Sequence, residues 1–426
     1  MYFLHDVMDR VTNISWRTAS GATLGGFAYA YDAVGRIVSR SHAIGTNAFD
    51  RAYAYDDLDR LASDGDVAYT YDAAGNRMTR TEDGATVTYT LGVGDRLASW
   101  TGGAYTHDAA GNVTRIEREG RPTLDLTWNS QYQLVSVATN GVFAESYEYD
   151  ALGRRVATAN MEGTTRHVYD DNWQVVADID ANGNVIASYV WGDGIDHLLA
   201  VNVGGASYYP LTDVQGTVWG YVDSQNNVVA RWRYDAWGNV VDEYVAPSSA
   251  ALARLRYRFQ CREWSAATGL IHFRMRWYDS ETGRWLSKDP IRLSGGLNQY
   301  AFCGNNPISS RDSLGLSSVI ITDIHSRRKV LRNPRVDEFK EAVDSYGDKC
   351  IADITIYDHG WVRKMNIDGA ECGMEIGKDG KVEFDDVNRG LVANLLRPKM
   401  ADGSSIYLSG CLTAYSGFFL MTMKRI

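Results

Sequence analysis

The chain has 426 residues, of which 12% are aromatic, with 26 Tyr and 12 Trp set against 7 Pro and 41 Gly. That length carries two or three domains with sizeable cores, and the composition excludes a disordered chain in favour of β-sheet with tight glycine turns. A net charge of −10 speaks against a nucleic-acid coat, and all of it resides in residues 1–316, because residues 317–426 hold 16 basic and 16 acidic side chains.

The opening MYFLHDVMDR breaks its apolar part with charges, unlike a signal peptide, and the run Gly417–Met423 is too short to span a bilayer. Any export is therefore expected to follow another route. Cys261, Cys303, Cys350, Cys372 and Cys411 are odd in number and irregular in spacing, which argues against a disulfide framework; no metal-ligand spacing and no phosphate or dinucleotide loop is present, so no cofactor or metal is expected.

Residues 1–240 carry an internal repeat: Tyr-Asp, two variable residues, Gly, then Arg or Asn. It stands at Tyr31–Arg36, Tyr71–Asn76, Tyr149–Arg154 and Tyr234–Asn239, with degenerate copies at Tyr55–Arg60 and His107–Asn112. Residues between copies alternate apolar and polar, as in Asn184–Val190, so each unit predicts a β-hairpin. Tyr lies on the strand, Asp opens the turn through its side chain, and Gly supplies positive φ. Units of roughly 20 residues imply stacked hairpins sharing one continuous sheet.

From Arg256 to Leu316 the text changes to a stretch dense in aromatics and Arg, then rich in Gly, Asn, Pro and Ser. It contains Gly269-Leu270, Arg276-Trp-Tyr-Asp279, Gly283-Arg284, Asp289-Pro290, Leu297-Asn298, Asn305-Asn306-Pro307 and Asp312-Ser-Leu-Gly-Leu316. With the repeat array, this resembles the YD-repeat (Rhs) family and its Rhs-associated core domain over about residues 1–316, the core stretch being the more specific part. The family includes bacterial polymorphic toxins and C components of insecticidal toxin complexes. The resemblance implies a mainly β spiral sheet forming a hollow shell around a variable C-terminal toxin, with an immunity protein and secretion machinery as partners. Three parts follow: a YD-repeat shell over 1–250, the core over 251–316, and a variable domain over 317–426. Family shells use more repeats than this chain has, so a partial shell with an exposed edge is expected.

Asp289 and Asp312 are the acids near the end of the core. Two close carboxylates sharing a proton can hydrolyse a peptide bond, one activating water and the other protonating the carbonyl. Spacing alone favours the plainer reading, in which Asp312 only opens a turn and Asp289 only precedes Pro290. The resemblance implies autoproteolysis after the leucine of Asp-x-x-Gly-Leu, requiring two aspartates and an arginine: Asp289, Asp312 and Arg276, with the scissile bond Leu316–Ser317. Ser313 stands where the motif commonly has Pro. Trp277, Tyr278, Trp285, Tyr300 and Phe302 are expected to pack the core, and Cys261 and Cys303 to be buried hydrophobes.

From Ser317 the repeat vanishes. Strands are expected at Ser318–Asp323, Ile351–Tyr357 and Ser405–Ser409, helices at Asp337–Tyr346 and Val387–Leu396, and a hairpin over Met374–Phe384. This alternation predicts a small α/β domain with a mainly parallel sheet. Tyr357-Asp-His-Gly360 and Leu408-Ser-Gly-Cys-Leu-Thr-Ala414 fall at strand C-terminal ends, where such sheets place their sites. The pair resembles the caspase-like (clan CD) cysteine peptidases, which implies His359 as base and Cys411 as thiolate nucleophile. Two other readings stay open: a cysteine-dependent glutamine deamidase, although no His follows Cys411, and a non-enzymatic YD-repeat surface protein with an inert C-terminal fold. Ser326-Arg-Arg-Lys329 reads as a solvated basic loop.

Overall fold

The computed structural model describes residues 1–316 apart from 46, 194, 247–254 and 293–295, and within 317–426 the backbone of seven short strands. Contacts divide the chain into two units, Met1–Lys288 with Asn298–Gly315, and Asp289–Leu297 with Leu316–Ile426.

In the first unit, 24 strands from β1 (Tyr2–His5) to β24 (Val240–Val245) form one sheet. Each strand pairs antiparallel with its sequence neighbours, from Tyr2↔Ser15 at one end to Trp232↔Glu243 at the other, so the sheet is an uninterrupted meander. The expected hairpins are present because each turn satisfies its own polar groups. Asp32 N–H donates to the Arg36 carbonyl at 3.0 Å, the Arg36 N–H returns to Asp32 Oδ1 at 2.9 Å, and Arg36 Nε reaches Asp32 Oδ2 at 2.6 Å. The repeat tyrosine then ties one hairpin to another: Tyr31, Tyr55 and Tyr71 donate their hydroxyls to the carbonyls of Val11, Ile37 and Leu61 at 2.6, 2.6 and 2.7 Å. Arg10, Arg36 and Arg60 lie 4.8 Å over those same three rings, a cation–π contact these three copies share.

The structure shows more copies of this turn than the tyrosine signature marked. Asp6, Asn129, Asp170, Asp180, Asp213 and Asp223 each donate their N–H to the carbonyl four residues on, as the repeat aspartates do. Several replace the glycine with a larger residue that still takes positive φ: Asp9 at 61°, Tyr132 at 63°, Trp173 at 61° and Asn226 at 67°.

Inward residues of the strands are buried in alternation, as with Gly25, Phe27 and Tyr29 of Thr23–Tyr31. The ribbon coils until late strands face early ones. Trp219 packs on Phe27 and His42 with ring centroids at 5.7 and 4.4 Å, and Trp237 packs on Tyr69 at 5.8 Å. At the start of the ribbon, β1 is exposed along its whole length.

The core stretch fills this coil. It contributes a four-stranded antiparallel sheet: β25 (Glu263–Trp264), β26 (Ile271–Phe273), β27 (Arg276–Asp279) and β28 (Arg284–Trp285). Phe259, Phe273, Tyr278, Trp285 and Phe302 join the buried cluster of early and late strands, while Leu270, Trp277 and Leu286 join that of the middle strands. The core aromatics thus pack as expected, and Cys261 and Cys303 are buried.

The second unit corrects one expectation. Its described strands are β29 (Val319–Asp323), β30 (Arg328–Leu331), β31 (Ile351–Asp358), β32 (Trp361–Asn366), β33 (Asp368–Ala370), β34 (Gly373–Glu375) and β35 (Ser409–Gly410). They pair in the order β30-β29-β31-β32-β35, with β33–β34 as a separate hairpin, and every described pairing is antiparallel rather than mainly parallel. The reason is chain length: two residues separate β31 from β32, enough for a hairpin, whereas a parallel crossover needs a dozen or more. The helices expected at 337–346 and 387–396 lie outside the described residues, as do residues 376–384 of the expected hairpin and 405–408 of the last expected strand.

Candidate functional site

The end of the core, Ser310–Gly315, is the joint that leads to Leu316, and it bends along residues 274–276. Arg274 and Arg276 flank a hairpin bend, and consecutive groups there take consecutive carbonyls of the joint. Arg274 Nη1 donates to the Ser313 carbonyl at 2.6 Å, Met275 N–H donates to Leu314 at 3.1 Å, and Arg276 Nε donates to Gly315. Arg276 also reaches Asp312 Oδ2 at 3.4 Å and the Gln299 carbonyl at 3.1 Å, while its guanidinium lies 4.0 Å over the Trp285 ring. This side chain is 3% exposed, so its charge is spent on the joint rather than on water. Gly315 has φ +71°, and a Cβ there would meet the Phe273 carbonyl at 2.5 Å.

Arg276, Asp312 and Gly315 are therefore brought together, and Asp312 is buried. Asp289, also buried, belongs to the other unit; its Oδ1 accepts the Ile291 N–H at 3.0 Å and its carbonyl accepts the Arg292 N–H at 2.9 Å, the pattern of a capped turn. Leu316 is fully buried. Ser317, His359 and Cys411 lie outside the described residues. What the structure shows near the latter two is that β31 and β35 run in the same sense with β32 between them, ending at Asp358 and Gly410.

Sequence reasoning missed the buried charges that surround the joint and fix the core to the shell. Asp196, in a shell turn, takes both Arg262 and Arg274. Burial pushes its carboxyl up, but the two guanidinium groups outweigh this and hold it below the usual carboxylate range. Glu263 pairs with Arg155 and Arg256, and Asp178 with Arg256 and His167. For both acids the cost of burial is likewise overcome by the neighbouring cations. The signal was legible in kind: six arginines between 256 and 284 are more than a solvated loop needs, and buried arginine demands partners. Cys261, beside Asp196, has its thiol pushed up to about 12 by burial and by that acid, which suits an inert structural residue.

Comparison with known proteins agrees with this architecture. The Teneurin YD-shell family model matches residues 6–308. The chain is 31% identical over 259 residues to the tRNA3(Ser)-specific nuclease WapA of Bacillus spizizenii, covering 58% of this chain and 11% of that protein. It is 26% identical over 328 residues to the double-stranded DNA deaminase toxin A of Burkholderia cenocepacia, covering 70% of this chain and 21% of that one. In fold it resembles the crystal structure of TcdB2-TccC3, with a TM-score of 0.59 and 20% identity over 74% of this chain and 18% of the other. The chain belongs to the YD-shell family, the shell found in Rhs-type toxins. It spans only a small part of the length of these relatives.

Proposed function

We propose that this chain is a toxin shell that cuts itself after Leu316 and so frees residues 317–426 as cargo. In this reading Asp289 and Asp312 share one proton. The ionised carboxylate takes a proton from water as the water oxygen bonds to the Leu316 carbonyl carbon. The protonated one donates to the carbonyl oxygen, and collapse of the intermediate expels the Ser317 amine with a proton returned. Arg276 keeps Asp312 and the strand beside the scissile bond in register. The observation that carries the reading is the hold of one buried arginine on both Asp312 and the Gly315 carbonyl, one residue before the cut.

For the cargo, a His359/Cys411 thiol enzyme is the reading that β31 and β35, parallel and ending one residue before each, support. A glutamine deamidase remains the competing thiol chemistry. The named relatives bear titles of two different activities, nuclease and deaminase, which fits a common shell carrying interchangeable cargoes. Delivery outside the producing cell by a non-classical bacterial route, an immunity protein in the producer and a secretion apparatus complete the proposal.

The test is expression of the intact chain. It should run as two fragments, the smaller beginning at Ser317 by N-terminal sequencing, and Asp289→Asn or Asp312→Asn should leave one full-length band. A single band from folded wild-type protein rejects the proposal. Growth arrest by the chain in a bacterial or eukaryotic cytoplasm, lost in Cys411→Ala, would separate an enzymatic cargo from an inert one.

A further inference from the structure

We propose that Gln260 and Arg274 are positioning residues for the cut after Leu316, setting the register of Ser310–Gly315 on the core; this rests on the cleavage reading above. Gln260 is buried in the left-handed region, at φ 48° and ψ 34°, a conformation that a glutamine adopts only where its surroundings require it. Both ends of its amide act on the joint. Oε1 accepts the Asp312 N–H at 3.1 Å, and Nε2 donates to the Ser310 carbonyl at 3.1 Å. Its own N–H is anchored on Thr217 Oγ1 at 3.0 Å, in a shell turn. From that same turn Gln215 Nε2 donates to the Pro307 and Ser310 carbonyls at 2.8 and 2.9 Å.

Arg274 does the equivalent from the other side. It too has positive φ, 57°, and it bridges the Ser313 carbonyl to Asp196, whose Oδ1 accepts Nη2 at 2.9 Å. The joint is thus gripped at 310, 312 and 313 by two residues that are themselves fastened to shell turns at 217 and 196. The groups they hold belong to Ser310, Asp312 and Ser313. Their effect is on where Asp312 and the Leu316 carbonyl sit, and a misplacement of about 1 Å costs an intramolecular reaction on the order of 100-fold. Because the fastenings are on the shell, the cut becomes a report that those turns have folded around the core.

The experiment uses the full chain, made in a cell-free system with an N-terminal label and followed as a first-order conversion well below the melting temperature. Gln260→Gly and Arg274→Lys should cleave about 10–100-fold more slowly than wild type. Melting is compared in the uncleavable Asp312→Asn background. Gln260→Gly suits the left-handed backbone, and Arg274→Lys keeps a charge against Asp196 without the fork, so both should melt within a few degrees of the parent. Gln260→Glu retains the acceptor for the Asp312 N–H and should recover part of the rate lost in Gln260→Gly. Folded variants that cleave at the wild-type rate, or a folded Gln260→Glu no faster than Gln260→Gly, overturn the positioning role. A wild-type chain that stays intact overturns the cleavage reading, and this inference with it.

Discussion

A methyl group on Gly315 would collide with the Phe273 carbonyl oxygen and come within 3.1 Å of the Arg276 N–H, and the residue sits at φ +71°. Space and conformation therefore both demand glycine here. Gly315→Ala is expected to cost about 1–3 kcal/mol, measured by urea unfolding of the uncleavable chain, and to stop the cut by pushing the joint off Arg276. An alanine variant that is cleaved normally would show that the segment does not use this geometry. The group Arg276, Asp312 and Gly315 was legible in the sequence only through its motif, since 36 residues separate the arginine from the acid and no periodicity links them. Gln260 and Asp196 carried no such signature. They act through side-chain bonds across 52 and 78 residues, which no local pattern encodes.

The hairpin was the most legible element, because everything that makes it is local. Alternation sets the strands, and the aspartate satisfies two backbone N–H groups within four residues, as Asp56 does for Leu58 and Arg60 at 3.0 Å each. Apart from Tyr55–Arg60 and His107–Asn112, copies lacking Tyr or Gly escaped notice, since the turn needs only the acceptor side chain and one residue able to take positive φ. At Tyr132 that residue is a half-exposed tyrosine at 63°, outside the region an L-side chain favours. Tyr132→Gly should therefore stabilise the shell by about 0.5–1 kcal/mol in urea unfolding, with the hairpin Leu124–Thr139 unchanged. Destabilisation would mean that the tyrosine ring contributes packing beyond the turn. In residues 317–426 the strand positions Val319–Asp323 and Ile351–Asp358 were close to expectation, but strand direction was not, because apolar runs reveal burial and say nothing of hand.

Across the whole first unit, core and shell are joined by buried ion pairs rather than by hydrophobic contact alone. Removing one member strands the other. Glu263→Ala leaves Arg155 and Arg256 without their shared carboxylate and should cost about 3–5 kcal/mol, read from the urea midpoint. A change below about 1 kcal/mol would show that the guanidinium groups find other partners. Histidines add a pH dependence. His42 sits among the rings of Phe27, Phe49 and Trp219 at 5.5, 5.5 and 4.4 Å; burial first, then Arg40, pushes its imidazole down to about 3. The unfolded chain takes up a proton below about pH 6.5 that the folded one refuses, so stability falls as pH drops from there toward 3, by at most ~1.4 kcal/mol per pH unit. His107, held near 4 by burial, acts in the same sense, whereas the buried Asp64 and Asp213 and the half-buried Asp235, raised by desolvation, act against it. His42→Phe should flatten the slope of stability between pH 6.5 and 4.5; an identical slope in the variant would remove His42 from the account.

The meander has a further consequence for synthesis. Every ladder of the 24-stranded sheet joins segments consecutive in the chain, so each new strand finds its docking edge already laid down by the one before it. The wall can lengthen strand by strand as the polypeptide leaves the ribosome, with no waiting for distant partners and little loop closure at each step. The far-off neighbours are met late: Trp219 and Trp237 reach Phe27 and Tyr69 once most of the wall is made, and residues 255–288 and 298–315, made after β24, pack on early, middle and late strands.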